Sequence, residues 1–172
     1  MTSSEKISLL ALGISLIALL ITYLTFRRGK KKANQDLLFQ EKINAYKDIS
    51  YLGNKIYREF FDLVNNVQFY EGDEKKWEKE FLKFSGDYYG KSFEFENTVS
   101  KYMVIIPSKI YDTCFELSFM LTHFVTTASH CDSEIIGNGY DNLGIKLDNL
   151  IELIRVDLNV DKLNLELSKR IK

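Results

Sequence analysis

Side chains able to do chemistry are sparse in this chain. It holds two histidines, His123 and His130, and two cysteines, Cys114 and Cys131. The densest set of metal-type donors is His130-Cys131-Asp132 with Glu134. The set combines imidazole, thiol and carboxylate, but it has neither the C-x-x-C nor the H-E-x-x-H spacing that brings ligands onto one ion. On an unbroken helix the seven residues from His123 to His130 span about 10.5 Å of axis. Nitrogens that must each lie about 2 Å from a metal cannot share one across that distance. A shared metal would require the helix to break between them, and no metal or cofactor is expected.

Nucleophilic and acid–base chemistry fares no better. Two cysteines make no disulfide framework, and free thiols agree with a cytoplasmic setting. The chain lacks a glycine-rich phosphate loop, a G-x-S-x-G elbow and the Glu-x-x-His pairs of di-iron bundles. Glu41, Asp48, Glu78 and Glu80 mix with lysines at helical spacing and read as solvated surface and helix pairs. Arg155 and Asp157 are expected to form a local pair near a helix end. No catalytic residue is assigned, and the chain is not expected to be an enzyme.

The elements explain what is there instead. Residues Ile7 to Phe26 are twenty in succession without a charge, followed by Arg27, Arg28, Gly29, Lys30, Lys31 and Lys32. Twenty helical residues cover about 30 Å, the hydrocarbon thickness of a bilayer. Signal peptides have an apolar region of about 7 to 15 residues ending at small residues, whereas this run is longer and ends at Tyr23-Leu24-Thr25-Phe26. It is therefore expected to be an uncleaved transmembrane helix in residues 1–32. By the positive-inside rule the basic flank places the domain C-terminal to it in the cytoplasm. The expected localisation is the plasma membrane, of bacterial type, in a single pass. Ser4, Ser8, Ala11, Ser15, Ala18, Thr22 and Thr25 fall on one stripe at alternating spacings of four and three. Small residues let helices approach closely in lipid, so a homo-oligomer or a partner transmembrane helix is expected along that stripe.

Residues 33–172 are expected to be one domain. Of 23 basic and 24 acidic residues in the chain, residues 1–32 hold six and one, leaving seventeen and twenty-three and a net charge of −6. Such a domain is a poor nucleic-acid binder. Pro107 is the only proline, and helical periodicity runs throughout. A first helix is expected from near Asn34, with a stripe through Leu38, Phe39, Ile43, Ala45, Ile49, Leu52, Ile56, Phe60 and Leu63. The second is capped by Asp73 and carries Trp77, Phe81, Phe84, Tyr88, Phe95, Val99 and Tyr102 to near Met103. The third opens at Pro107 with an unbroken series Ile110, Cys114, Leu117, Leu121, Phe124 and Ala128. The stretch from Cys131 to Tyr140 reads as a mobile loop, with Asp141 capping a fourth helix through Leu143, Leu147, Leu150, Ile154 and Leu158. Asn159 suits the left-handed position that ends a helix.

The expected fold is all-α: one transmembrane helix, then an up-down four-helix bundle with a short amphipathic helix from Asp161 to Lys172. An up-down order brings the turn holding Ile105 and Ile106 and the tail holding Lys169 and Arg170 beside the bilayer. With Arg27, Arg28, Lys30, Lys31 and Lys32 they are the expected membrane-surface contacts. The rival account has the two isoleucines capping the bundle core. Off-stripe aromatics Tyr89, Phe93 and Phe119 are the candidate partner surface. The expected function is that of a scaffold, adaptor or accessory subunit with a cytoplasmic protein partner. The alternative is a membrane-active effector, a small toxin or defence protein that assembles through its span.

Overall fold

A computed structural model gives the fold. It describes the backbone of residues 3–160 and the side chains of residues 15 and 17–160. Four α-helices occur in order, α1 (Ser3–Val67), α2 (Glu74–Lys101), α3 (Ser108–Ala128) and α4 (Ser133–Asp157), and no strand occurs among the described residues. The chain divides into two compact units, residues 1–41 and 42–172.

The first unit is helical over its described residues, and the α1 assignment runs through Gly29 without a break, so no separate helix starts at Asn34. Its described apolar side chains, among them Ile17, Leu19, Leu20, Ile21 and Phe26, are all exposed. Among the described residues no helix is long and apolar enough to cross a membrane. Residues 7–14 and 16, nearly half of the apolar run, have no described side chain. Ser8 and Ala11 are thus outside the description. The hydroxyls of Thr22 and Thr25 donate to Ala18 O and Ile21 O of their own helix, each at 2.8 Å.

In the second unit four helices close on one core. Heptad-like stripes supply it: Ala45, Ile49, Ile56, Phe60 and Leu63 of α1, Trp77, Phe81, Phe95 and Val99 of α2, Leu143, Leu147, Leu150 and Ile154 of α4, and the whole α3 series from Ile110 to Ala128 are buried. The α1 stripe starts later than its periodicity suggests, because Leu38, Phe39 and Ile43 are exposed. Helix directions alternate. The Tyr102 hydroxyl donates to Asp48 at 2.5 Å, Trp77 Nε1 to Ala128 O at 2.7 Å, and Tyr46 to Asp157 at 2.5 Å. The α2–α3 turn and the end of α4 therefore lie at the Lys42 end of this unit, and the turn before α2 and the α3–α4 turn lie at the other, where Ser133 donates to Glu71 at 2.7 Å.

Local chemistry sets the ends. After the 3-10 turn η1 (Gln68–Tyr70), Gly72 takes φ 87°, which a Cβ would resist, and the Asp73 carboxylate caps α2 by accepting from Lys76 N at 3.2 Å. Pro107 opens α3, its carbonyl accepting from Ile110 N and Tyr111 N at 3.0 Å. Asn159 has φ 54° past the end of α4. The loop expected over Cys131–Tyr140 is corrected: α4 begins at Ser133, nine residues before Asn142, with Asp132 and not Asp141 as its cap, accepting from Ile135 N at 2.9 Å. Gly137 and Gly139 are helical, and of the two Gly139 meets a neighbour, as does Gly144 one turn and a half further on. A Cβ on Gly139 would come 3.2 Å from Phe124, and one on Gly144 would come 2.7 Å from the Tyr57 hydroxyl. Cys131 is accordingly no loop residue in solvent; it is buried at φ 52° with its thiol donating to Tyr70 O at 3.4 Å. The tail expected to be helical from Asp161, with Lys169 and Arg170, lies outside the described residues.

Candidate interaction surface

Polar clusters in this unit are structural. Asp157 accepts from Tyr46 and lies 2.5 Å from Lys42 Nζ, both on α1, while Arg155 lies 3.7 Å from Glu152. The pair read from sequence as local is in part an interhelical clamp. Burial first, and the Asp157 carboxylate second, push the Tyr46 phenol above its ordinary range. Lys91 ties α2 to α1, paired with Asp87 and lying 3.0 Å from Glu59. Burial works to lower its ammonium, and those two carboxylates outweigh it. The Cys114 thiol is pushed up to about 12 by burial, and Cys131 is raised by burial and by the acidic residues around it. Thiols held protonated are poor nucleophiles. Among the described residues no group of three or more His, Cys, Asp or Glu is placed to hold a metal ion.

The side chains of the membrane-surface expectation separate. Ile106 is buried in the core and Ile105 packs half-buried against it, leaving Met103 and Val104, 56% and 90% exposed, as the apolar surface of that turn. Pro107 turns the chain so that the last two aliphatics point inward, which is the capping account.

The partner-surface residues also separate. Tyr89 is half-buried and its hydroxyl sits 3.0 Å from Thr126 Oγ1, a link between α2 and α3. Phe93 and Phe119 are exposed, at 54% and 71%. They are joined by Phe115, also exposed, which sequence reading passed over. The available signal was a second i, i+4 series beside the buried one: Tyr111, Phe115, Phe119 and His123, each one residue after a core position or close to one. Tyr111 stacks on Phe115 with ring centroids 6.4 Å apart, and Phe119 on His123 at 6.3 Å. A ridge of aromatic rings therefore runs along the outer shoulder of α3.

Recesses flank the ridge. One of about 240 Å³ lies toward α2, lined by Phe93, Glu96, Phe115, Ser118, Phe119 and Thr122. A larger one of about 340 Å³ opens between α3 and α4, walled by Met120, Phe124, Ile135 and Leu143, with His123, Asn138 and Asn142 at its sides. Ridge and recesses together form an apolar face with polar edges.

No protein-family model matches the chain, and no curated protein or solved structure matches it.

Proposed function

We propose that this protein is a membrane-anchored interaction module, a scaffold, adaptor or accessory subunit that works through the α3 shoulder of its helical bundle. The observation that carries the reading is the gathering of Phe93, Phe115 and Phe119 on one exposed face beside two recesses. Buried aromatic anchors in shaped pockets dominate protein–protein binding energy, and large exposed apolar patches mark partner surfaces. The anchor is supported by the charge-free run Ile7 to Phe26 ahead of Arg27, Arg28, Lys30, Lys31 and Lys32. The exposure of Ile17, Leu19, Leu20, Ile21 and Phe26 also calls for a covering that lipid would supply. Each basic residue near an anionic surface contributes about 1 kcal/mol.

The test is to isolate the full chain from its membrane and compare it with Phe115→Asp. Because Phe115 lies outside the core, the variant should keep its helical circular dichroism and melting temperature while losing the protein that accompanies the native chain. Retention of every companion by Phe115→Asp would remove the shoulder as the interaction surface.

A weak lipid contact by the Met103–Val104 turn is part of the same reading. A chain beginning at Asn34 should bind anionic vesicles, less so in high salt and less so with Met103→Ser plus Val104→Ser. Folded protein that ignores such vesicles would rule the contact out.

A further inference from the structure

Resting on the α3 shoulder as an interaction surface, we infer that the shoulder is also the seat of the chain's own basic tail, residues 161–172, which folds back over it and must be displaced by any partner. Those residues lie outside the described ones, and the case for them rests on what the shoulder presents and on where α4 ends. The shoulder is apolar with an acidic border. Tyr111, Phe115 and Phe119 follow one another every four residues, and Glu96 of α2 lines the adjoining recess together with Phe93, Phe115 and Phe119. Asp112 and Glu116 stand next to Tyr111 and Phe115 along α3, both exposed. Glu116 is paired with Lys146, whereas Glu96 and Asp112 have no ion-pair partner among the described residues, and no lysine or arginine lines the recess.

An aromatic face edged by free carboxylates selects an amphipathic segment that is basic, and the tail has that chemistry. Leu163, Leu167 and Ile171 repeat at the same four-residue interval as Tyr111, Phe115 and Phe119, about 6 Å of helix axis per step. Lys162, Lys169, Arg170 and Lys172 border them. Residues 161–172 hold four basic and two acidic residues, a net of +2, and residues 33–160 hold thirteen and twenty-one, a net of −8. Opposite charge therefore draws the tail to the bundle. Place and length agree. α4 ends at the Lys42 end of the unit, where α3 begins, and Asn159 at φ 54° takes the chain out of the helix there. Because α4 packs against α3, the crossing to the shoulder is about 10 Å, the reach of about three extended residues. Beyond it, the ridge from Tyr111 to Phe119 measures about 12 Å of axis, within the roughly 18 Å that twelve helical residues cover. So short a tether also holds the tail at high effective concentration beside its seat.

The test is tryptic release of the tail from the full chain in phosphatidylcholine vesicles, with cleavage after Lys162, Lys169 and Arg170 followed by mass spectrometry. These vesicles offer no anionic headgroup to hold a basic segment. Phe115→Ser and, on the tail itself, Leu167→Ser should each speed release at least tenfold, and Glu96→Gln at least threefold. Phe69→Ser, at an exposed aromatic outside the shoulder, should leave it unchanged. Combining Phe115→Ser with Leu167→Ser should add little, because both remove the same contact. Equal release from the native chain and Phe115→Ser overturns the seat, and so does full multiplication of the two effects. Protection that arises only when anionic lipid is added also overturns it, since the tail would then lie on the bilayer. If the seat fails while Phe115→Asp still loses its companion protein, the interaction-module reading stands; a seated tail with every companion retained by Phe115→Asp upholds the seat and removes the foreign partner.

Discussion

At the scale of single residues, burial decides what each reactive group can do. Trp77 is the clearest case: fully buried, it also donates to Ala128 O, one of the carbonyls left without a partner in the last turn of α3. Trp77→Phe keeps most of the volume but strands a buried acceptor, and a loss of about 1–3 kcal/mol is expected in urea unfolding. Trp77→Ala should cost about 3–5 kcal/mol. A Phe variant as stable as the native chain would show that the indole hydrogen bond contributes nothing net. The buried acids of high pKa give a pH dependence with a definite sign. The Cys114 thiol rises from 9.0 to about 12, and Tyr46 and Tyr140 rise above their ordinary 10.0, chiefly through burial. The folded state keeps protons that the unfolded chain gives up. Their stabilisation is whole below about pH 9 and is lost as the pH climbs through 10 and toward 12. Melting temperatures should be level from about pH 7 to 9 and drop beyond; a flat profile to about pH 11 would contradict it.

At the scale of helices, glycine tells two stories. Gly86 and Gly90 lie inside α2, and a Cβ on either would meet nothing within 4 Å. Nothing in the packing of this unit asks for them, so Gly86→Ala and Gly90→Ala should each stabilise by about 0.5–1 kcal/mol through helix propensity. Gly144 is different, because its Cβ would lie 2.7 Å from the hydroxyl of Tyr57, whose ring is held by stacking on Tyr140 at 4.3 Å. Crowding there costs about 1–3 kcal/mol against the same propensity gain, and Gly144→Ala is expected to lower the denaturation midpoint. Opposite signs for α2 and α4 are the measurable contrast. A destabilising Gly86→Ala would mean that something outside this chain fills the groove beside it.

At the scale of the molecule, the predictions concern the membrane. A reporter fused after Lys172 should be active only as a cytoplasmic one; activity of a reporter that works outside the cytoplasm would reverse the orientation read from Arg27 to Lys32. The small-residue stripe predicts that Ala11→Leu, Ser15→Leu and Ala18→Leu together weaken self-association of the apolar run in a membrane reporter, while Leu9→Ile, Leu16→Ile and Leu20→Ile do not. Because Thr22 and Thr25 already donate to their own helix, any association along the stripe would rest on close approach more than on their hydroxyls. Equal behaviour of the two sets would make the stripe incidental.

By itself the sequence determined that the chain is helical and where the stripes of α2, α3 and the later part of α1 face inward, but not that α1 continues unbroken through Gly29 or that Leu38, Phe39 and Ile43 stay exposed. A side chain repeating every three or four residues is buried only if the backbone is helical, and the α3 series is buried along its whole length. It also determined the caps at Asp73 and Pro107, since capping is a matter of adjacent residues. It misread the start of α4, because Gly137-Asn138-Gly139 has the composition of a turn, and only the close approach of Phe124 to Gly139 and of Tyr57 to Gly144 reveals that these two glycines admit neighbouring helices. It named Phe93 and Phe119 but left Phe115 out and counted Tyr89 in. Periodicity says that a residue is off the buried stripe, and which off-stripe residues adjoin one another depends on how α2 lies beside α3. The ridge and its recesses exist only once three helices are set together, so the surface proposed for binding was decided by tertiary structure.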